Sequence, residues 1–333
     1  MNSPPAKCQI CDSPNASFNY GANTCNACKM FFRRVIVSRR SLKICAKTEN
    51  CGHQCRCCRF RRCVSAGMKF GASEEIHRNL EISERVSDVI ARLRNMDVHR
   101  EARLRHFYVI EDPSLVEYVA DERCVEFRRR TKDENPCSVF DWAFHEQLTT
   151  IDFIRKFELA ERLDAPSLTT FVTTSFFTTA LFFNAFRSYR GRKAAMSFVD
   201  GSDIIPPMSV PVCSTTLLTN LRSRLVGKLI ELRVSVEEFL LLVAVFVCNP
   251  YVAGLSENAK SVISSHQQVS TSALLQLCQI NCRRGAPARF CELLSIMRVI
   301  SQTARESTEF CLLFGISQQP VQKKRIFEHT HFP

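Results

Sequence analysis

Eight cysteines in the first 70 residues, arranged as two sets of four, restrict the folding of this chain more than any other feature. The first set is Cys8, Cys11, Cys25 and Cys28, two Cys-x2-Cys pairs separated by thirteen residues. The second is Cys45, Cys51, Cys55 and Cys58, with five, three and two residues between successive members. Four thiolates spaced this way suit tetrahedral zinc, because a Cys-x2-Cys pair sits on one tight turn and two pairs close the shell. So short a segment has little apolar core and needs such staples to fold. Two zinc ions are therefore expected. In the second set Cys57, Cys63 and His53 are further donors close in sequence; the spacing favours Cys45, Cys51, Cys55 and Cys58, with His53 as a surface loop residue.

Charge is concentrated in the same segment. The net charge of the 333 residues is +12, and residues 1–70 hold 13 Lys and Arg against 2 Asp and Glu, so +11 of it lies there and only +1 in the remainder. A polyanion is the natural partner of the first part, with salt-dependent binding through phosphates. Between the cysteine sets runs Lys29-Met-Phe-Phe-Arg-Arg34. If residues 26–37 form a helix, Phe31, Phe32 and Val35 share one face and would pack between the metal sites. Asn26, Ala27, Lys29, Met30 and Arg33 then face the other way, toward base edges in a major groove, which admits one helix. Arg34, Arg39 and Arg40 are placed for phosphates, and Arg59 and Arg62 complete the basic set expected to contact DNA. The first seven residues are polar and proline-containing, and ten of the 18 cysteines lie in residues 1–70. This favours metal-bound thiolates in a reducing compartment over a secreted disulfide framework.

Three segments follow from the composition: a metal-stapled basic module at 1–70, a charge-dense hinge with partial helix at 71–138, and a helical domain at 139–333. No internal repeat or strand alternation is evident. Ala165 to Phe186 carries no charged residue and is long enough for a bilayer, but six threonines, two serines, an asparagine and Pro166 mark it as a buried helix or helix pair. Asp164 and Pro166 read as its start. Trp142 to Leu163 has apolar residues at three-to-four spacing. Ser235-Val-Glu-Glu238 is a capping box opening the run Phe239 to Cys248, which stops before Pro250. A short helix is expected over Leu274 to Ile280, and a last long one from Pro287 to Gly315.

Cys25-Asn-Ala-Cys-Lys-Met-Phe-Phe-Arg-Arg34 resembles the first-finger signature of the nuclear hormone receptors, more narrowly of their divergent nematode branch. Cys55-Arg-Cys-Cys-Arg-Phe-Arg-Arg-Cys63 with Gly67-Met68 resembles the second-finger signature, in which Cys63 corresponds to a cysteine that is not a ligand. Residues 140–315 resemble the family's ligand-binding domain more loosely, best over Phe157 to Asp164 and Phe239 to Pro250. The resemblance implies a small zinc-stabilised α domain with two C4 zinc modules, followed by an all-α helical-sandwich ligand-binding-type domain. It further implies half-site selection by Asn26, Ala27 and Met30, and location in the nucleus. It implies an apolar ligand pocket, for which Phe157, Phe171, Phe176, Phe177 and Phe183 are candidates, together with Phe182 and Phe186. It also implies homo- or heterodimerisation through a helix at 287–314. Two departures stand out. The loop between Cys51 and Cys55 is shorter than the family's, where dimer contacts on DNA lie. The position of the family's activation helix offers only Ile326, Phe327 and Glu328 in basic surroundings, and its basic clamp residue falls near Asp152, Arg155 and Lys156. Coactivator or corepressor recruitment is accordingly left open.

The function expected is therefore a sequence-specific DNA-binding transcription factor regulating RNA polymerase II transcription, possessing a lipophilic ligand or working as a ligand-independent repressor. A zinc-dependent protein-interaction module of the LIM or RING type is the competing reading; those usually mix histidine into the ligand set and lack a basic helix directly after a Cys-x2-Cys. An enzyme is not expected, since no phosphate-binding Gly-rich loop, GxSxG or HExxH occurs. The remaining cysteines read as small buried hydrophobes.

Overall fold

A computed structural model describes residues 7–37, 42, 45, 51, 53–70, 73–130, 137–207, 211–317 and 324–327. The chain divides into two compact units, 1–88 and 89–333.

In the first unit, β1 (Ser17–Asn19) and β2 (Ala22–Thr24) form an antiparallel hairpin with Ser17 opposite Thr24. Its turn requires glycine at position 21 twice over. Gly21 has φ +101°, and a Cβ there would stand 2.7 Å from the carbonyl oxygen of Gly67. The close approach is fixed by the Lys69 amide, which donates to the Tyr20 carbonyl at 2.6 Å. Helix α1 (Asn26–Val37) buries Cys28, Phe31, Phe32, Val35 and Ile36, the stripe expected from spacing. Helix α2 (Arg56–Ser65) buries Cys57, Cys58, Phe60 and Cys63 against it. Phe32 and Phe60, both fully buried, stack with ring centroids 5.7 Å apart, and Ile10 and Met68 complete this small core.

Helix α3 (Ser73–His106) runs for 34 residues, so much of the segment read as a hinge is one continuous helix. Its apolar positions are sparse, yet Val86, Ile90, Leu93 and Leu104 are buried; long-range packing supplies what local pattern lacks. The second unit continues with β3 (Phe107–Tyr108), α4 (Leu115–Ala120) and β4 (Arg128–Arg129), β4 pairing antiparallel with β3. Six helices of the sandwich follow: α5 (Val139–Arg155), α6 (Ala165–Arg190), α7 (Thr215–Leu232), α8 (Val236–Val247), α9 (Glu257–Cys282) and α10 (Ala286–Leu294). Then come α11 (Ile296–Ser317) and a 3-10 turn at Arg325–Phe327.

Interior position is written into α8, where every residue from Glu238 to Val245 is buried. Phe239 contacts Phe182, Phe183 and Phe186 of α6, with Phe186 stacked on it at 3.7 Å, and Phe153 of α5 meets Phe183 edge-on at 5.0 Å. The capping signals hold: Ser235 and Glu238 form the box that opens α8, and Asp164 accepts from the Ser167 amide at the start of α6. Further boxes, Ser114 with Glu117 and Ser138 with Asp141, open α4 and α5.

Two helical boundaries differ from expectation. The helix over Leu274 to Ile280 is the end of the 26-residue α9, whose first half is too polar to show a stripe. The last helix is interrupted at Ser295, whose hydroxyl donates to the Glu292 carbonyl at 2.6 Å, a side-chain bond that competes with the helical ladder. Gly315 lies inside α11 rather than ending it. Ala165–Phe186 is one buried helix, and among the described residues no helix is long and apolar enough to cross a membrane.

Candidate metal centres, nucleic-acid interface and cavity

The two cysteine sets each converge. The sulfurs of Cys8, Cys11, Cys25 and Cys28 lie within 4.8 Å of one another, as do those of Cys45, Cys51, Cys55 and Cys58. A tetrahedron with ~2.3 Å zinc–sulfur arms has edges of ~3.8 Å. The Cys11–Cys25 and Cys11–Cys28 separations of 3.6 Å and the Cys51–Cys58 separation of 3.5 Å match that size. The local chain makes this possible. Cys8 and Cys11 flank a reverse turn in which the Asp12 amide donates to the Cys8 carbonyl, and Cys25 and Cys28 open α1. Cys55 is the N-terminal cap of α2 and Cys58 lies in its first turn. Each site thus has two thiolates at a helix N-terminus, whose exposed amides favour negative charge.

Burial raises the Cys28 thiol, and hydrogen bonding to Cys45 and Cys58 pushes Cys51 up to about 12, whereas burial of Cys11 is outweighed by hydrogen bonding to Ser13, which lowers it to about 6, and the Cys58 amide lowers Cys55 to about 7. Two C4 tetrads therefore fit two zinc ions. Cys57 and Cys63 lie instead in the core between α1 and α2, and His53 is exposed and outside the second tetrad.

Around the metal centres the basic residues separate into two groups. Asn26, Ala27, Met30, Arg33 and Arg34 are exposed on α1 and Lys29 is half-buried, while the aromatic face is buried behind them. Arg34 Nε donates to the Met30 carbonyl at 3.2 Å. Arg39 and Arg40 lie outside the described residues. Arg59 turns inward: its Nη2 donates to Cys28 Sγ at 3.2 Å and its guanidinium lies 4.7 Å from the Phe31 ring centroid. Arg62 points to the Ile10 carbonyl, at 3.4 Å, and Arg61 pairs with Glu84. Arg56, absent from the sequence-based set, is exposed at the start of α2.

The second unit contains a cavity of about 410 Å³ whose wall is mostly apolar, supplied by α5, α6, the 196–206 segment, α7, α11 and the C-terminal turn. Of the five phenylalanines expected to line a pocket, Phe177 does so. Phe171, Phe176 and Phe183 are buried on other faces of α6, Phe157 follows α5, and none of these four is part of this wall. Phe182 and Phe186 are likewise in the filled aromatic core against Phe239. The wall instead draws on Phe140, Phe198, Ile205, Phe310, Phe314 and Phe327. Its polar end holds Glu146, Gln147 and Asn184.

The residues expected near a basic clamp are engaged within the unit. Asp152, buried, receives Arg103 at 2.7 Å and Lys156 at 3.0 Å, and Arg155 donates to the Tyr118 carbonyl at 2.8 Å. At the C-terminal turn Ile326 is buried, Arg325 pairs with Glu117 at 2.8 Å, and Lys324 lies over the Phe144 ring. Glu328 lies outside the described residues.

With that geometry in hand, comparison with known proteins is specific in both units. The C4-type double treble clef zinc finger model matches residues 6–70, and the model of the ligand-binding domain of nuclear hormone receptor matches residues 131–317. The chain is 34% identical over 325 residues to nuclear hormone receptor family member nhr-9 of Caenorhabditis elegans, covering 96% of this chain and 94% of that protein. It is 32% identical to family member nhr-167 of the same organism, covering 98% of this chain and 97% of that one.

Proposed function

This chain belongs to the nuclear hormone receptor family and is a DNA-binding transcription factor of that type rather than an enzyme; on that premise we propose how its two units divide the work. Helix α1 enters the major groove and reads base edges with Asn26, Ala27, Lys29, Met30 and Arg33, while Arg34 meets phosphate. Arg39 and Arg40 extend the phosphate contacts. The observation that carries this reading is the two-sidedness of α1: Cys28, Phe31, Phe32 and Val35 are fixed to the metal-stapled core, so the opposite side is held out rigidly, with no acidic residue in the first turn to repel DNA. Arg59 and Arg62 serve the metal module instead, through Cys28 and Ile10.

The second unit takes a lipophilic small molecule in its cavity, whose size falls in the range usual for ligand sites, and thereby modulates transcription by RNA polymerase II in the nucleus. Dimerisation through α10 and α11 is part of the same proposal. A ligand-independent repressor is the second reading. It is favoured by the C-terminal turn, where Ile326 is buried and Arg325 is paired with Glu117.

The test is to measure bound zinc in the full chain and select its preferred sequence from random duplex DNA. Two zinc ions and one enriched short motif are expected. Arg33→Gln should weaken binding to that motif by about 1–3 kcal/mol with zinc content unchanged. Zinc-loaded protein that enriches no sequence and keeps its affinity in Arg33→Gln would refute the reading in favour of a protein-interaction module.

A further inference from the structure

The two metal tetrads use the same four-sulfur set and differ in what surrounds it. Both place thiolates at a helix start, Cys25 and Cys28 at α1 and Cys55 and Cys58 at α2. The first tetrad is also reached by side chains from outside it. Arg59 Nη2 donates to Cys28 Sγ at 3.2 Å, and its guanidinium is held over the Phe31 ring at 4.7 Å. Ser13 Oγ lies 3.1 Å from Cys11 Sγ, and against a zinc-bound thiolate the hydroxyl is the donor. Cys8 and Cys28 are fully buried in the core of the unit. In the second tetrad Cys45, Cys51 and Cys55 are half-buried and only Cys58 is buried. Among the described residues, the hydrogen bonds its sulfurs make to side chains are to one another. A donor on a zinc-bound thiolate takes up part of the charge that makes it nucleophilic, and burial keeps an attacking molecule away. The second tetrad is therefore the more reactive of the two.

We propose that the second tetrad is a site of reversible oxidation by hydrogen peroxide, at which Cys45 and Cys51 join in a disulfide and one zinc ion leaves while the first tetrad keeps its own. The Cys45 and Cys51 sulfurs are 3.1 Å apart, closer than the 3.6 Å pairs of the first tetrad, and neither residue lies in a helix. One thiolate attacks a peroxide oxygen, which breaks the O–O bond and releases hydroxide. The other thiolate then attacks the sulfenic acid so formed and expels its oxygen as a second hydroxide. The two sulfurs lose the two electrons that reduce the peroxide, and both hydroxides take protons from solvent to give water. A tetrahedral site left with two thiolates no longer holds zinc. Helix α1 keeps both its ligands, Cys25 and Cys28, in the first tetrad. Helix α2 loses the metal at its first turn, so oxidation acts on its packing against α1, where Phe60 stacks on Phe32. Cys57 and Cys63 are buried in the core and do not compete. Cys124, Cys282 and Cys291 are exposed but belong to neither tetrad, so their oxidation releases no zinc.

The test treats the full chain, carrying two zinc ions, with increasing hydrogen peroxide. Released zinc is followed with a colorimetric chelator, and oxidised cysteines are mapped by peptide mass spectrometry after the remaining thiols are alkylated in denaturant. One zinc ion should leave at a dose about tenfold below that needed for the other, the scale on which outer-shell partners act at a metal site. A disulfide between Cys45 and Cys51 should accompany it, with Cys8, Cys11, Cys25 and Cys28 still alkylated. Dithiothreitol and one equivalent of zinc should restore the two-zinc form. Ser13→Ala combined with Arg59→Gln should lower the dose that empties the first site about tenfold and leave the second unchanged. If the double variant fails to fold, Ser13→Ala alone should lower that dose by about threefold. Release of both ions at one dose, earlier oxidation of the first tetrad, a disulfide that omits Cys45 and Cys51, a loss that dithiothreitol does not reverse, or a first site indifferent to Ser13→Ala would overturn the proposal.

Discussion

Arg59 shows how one side chain changes meaning between sequence and structure. In a run of arginines it reads as a phosphate contact. In the fold its guanidinium donates to the Cys28 sulfur and covers Phe31. A zinc site with four thiolates carries net negative charge, and a cation hydrogen-bonded to one sulfur offsets part of it. Arg59→Gln should therefore weaken one of the two zinc ions about tenfold or more in a competition with a chelator, leaving the other unchanged; equal retention of both would remove Arg59 from the metal site. His145 makes a residue-scale prediction of a different kind. It is buried, its Nε2 accepts from the Val109 amide at 3.0 Å, and burial, with the charges of Arg130 and Lys324, lowers its pKa to about 4 against the opposing pull of Asp141. Its folded pKa lies below the unfolded value near 6.5. Stability is therefore full above about pH 6.5 and is lost as pH falls toward 4, by on the order of 3 kcal/mol. Trp142 is the chain's one tryptophan and lies beside His145. Urea unfolding followed by its fluorescence should show the midpoint falling between pH 7 and pH 5, and His145→Gln should flatten that slope.

At the scale of elements, the capping box of α8 does more than start a helix. Glu238 accepts two bonds from Arg289 of α10, both at 2.8 Å, as well as capping the Ser235 amide, and Arg289 also donates to the Leu232 carbonyl at the end of α7. One buried carboxylate thus joins three helices. Ser235→Ala should cost about 1 kcal/mol, the usual worth of a cap. Glu238→Ala should cost about 3 kcal/mol or more, because it also strands a half-buried guanidinium. Equal losses in urea unfolding would mean that the inter-helix role is absent. The same scale explains which elements were readable. The starts of α6 and α8 carry local capping signals that are legible in the sequence. The length of α9 and the break at Ser295 depend on packing and on one hydroxyl, and no periodicity records them. α3 is the strongest case: 34 residues with few apolar positions form one helix in which Ile90 and Leu93 are buried and Leu104 packs with Trp142 and Phe198, distant in sequence.

At the scale of the whole molecule the two units owe their stability to different sources. The first has a core of a few side chains and two metal tetrads; the second has an extended aromatic interior. Chelation of zinc should abolish DNA binding and the helical signal of α1 and α2. The urea transition reported by Trp142, in the second unit, should survive within about 0.5 kcal/mol, a shift too small to matter against domain stability. Loss of that transition on chelation would show that the second unit needs the metal.

What the sequence determined by itself is the part governed by short-range reach. Cysteines at fixed spacing can close only around a common centre, and the stripe of Phe31, Phe32 and Val35 leaves one face of α1 outward. Those are properties of a turn and a helix, independent of the rest of the chain. Tertiary structure alone decided where the cavity lies and what it offers. Phe176 and Phe177 are neighbours of one type, but the rotation between successive helical residues sends the first to the core and the second to the cavity wall. Asn184 turns its amide nitrogen onto the carboxylate of Glu146, 38 residues earlier in the chain. Such pairings are set by which elements meet, and no local pattern contains them.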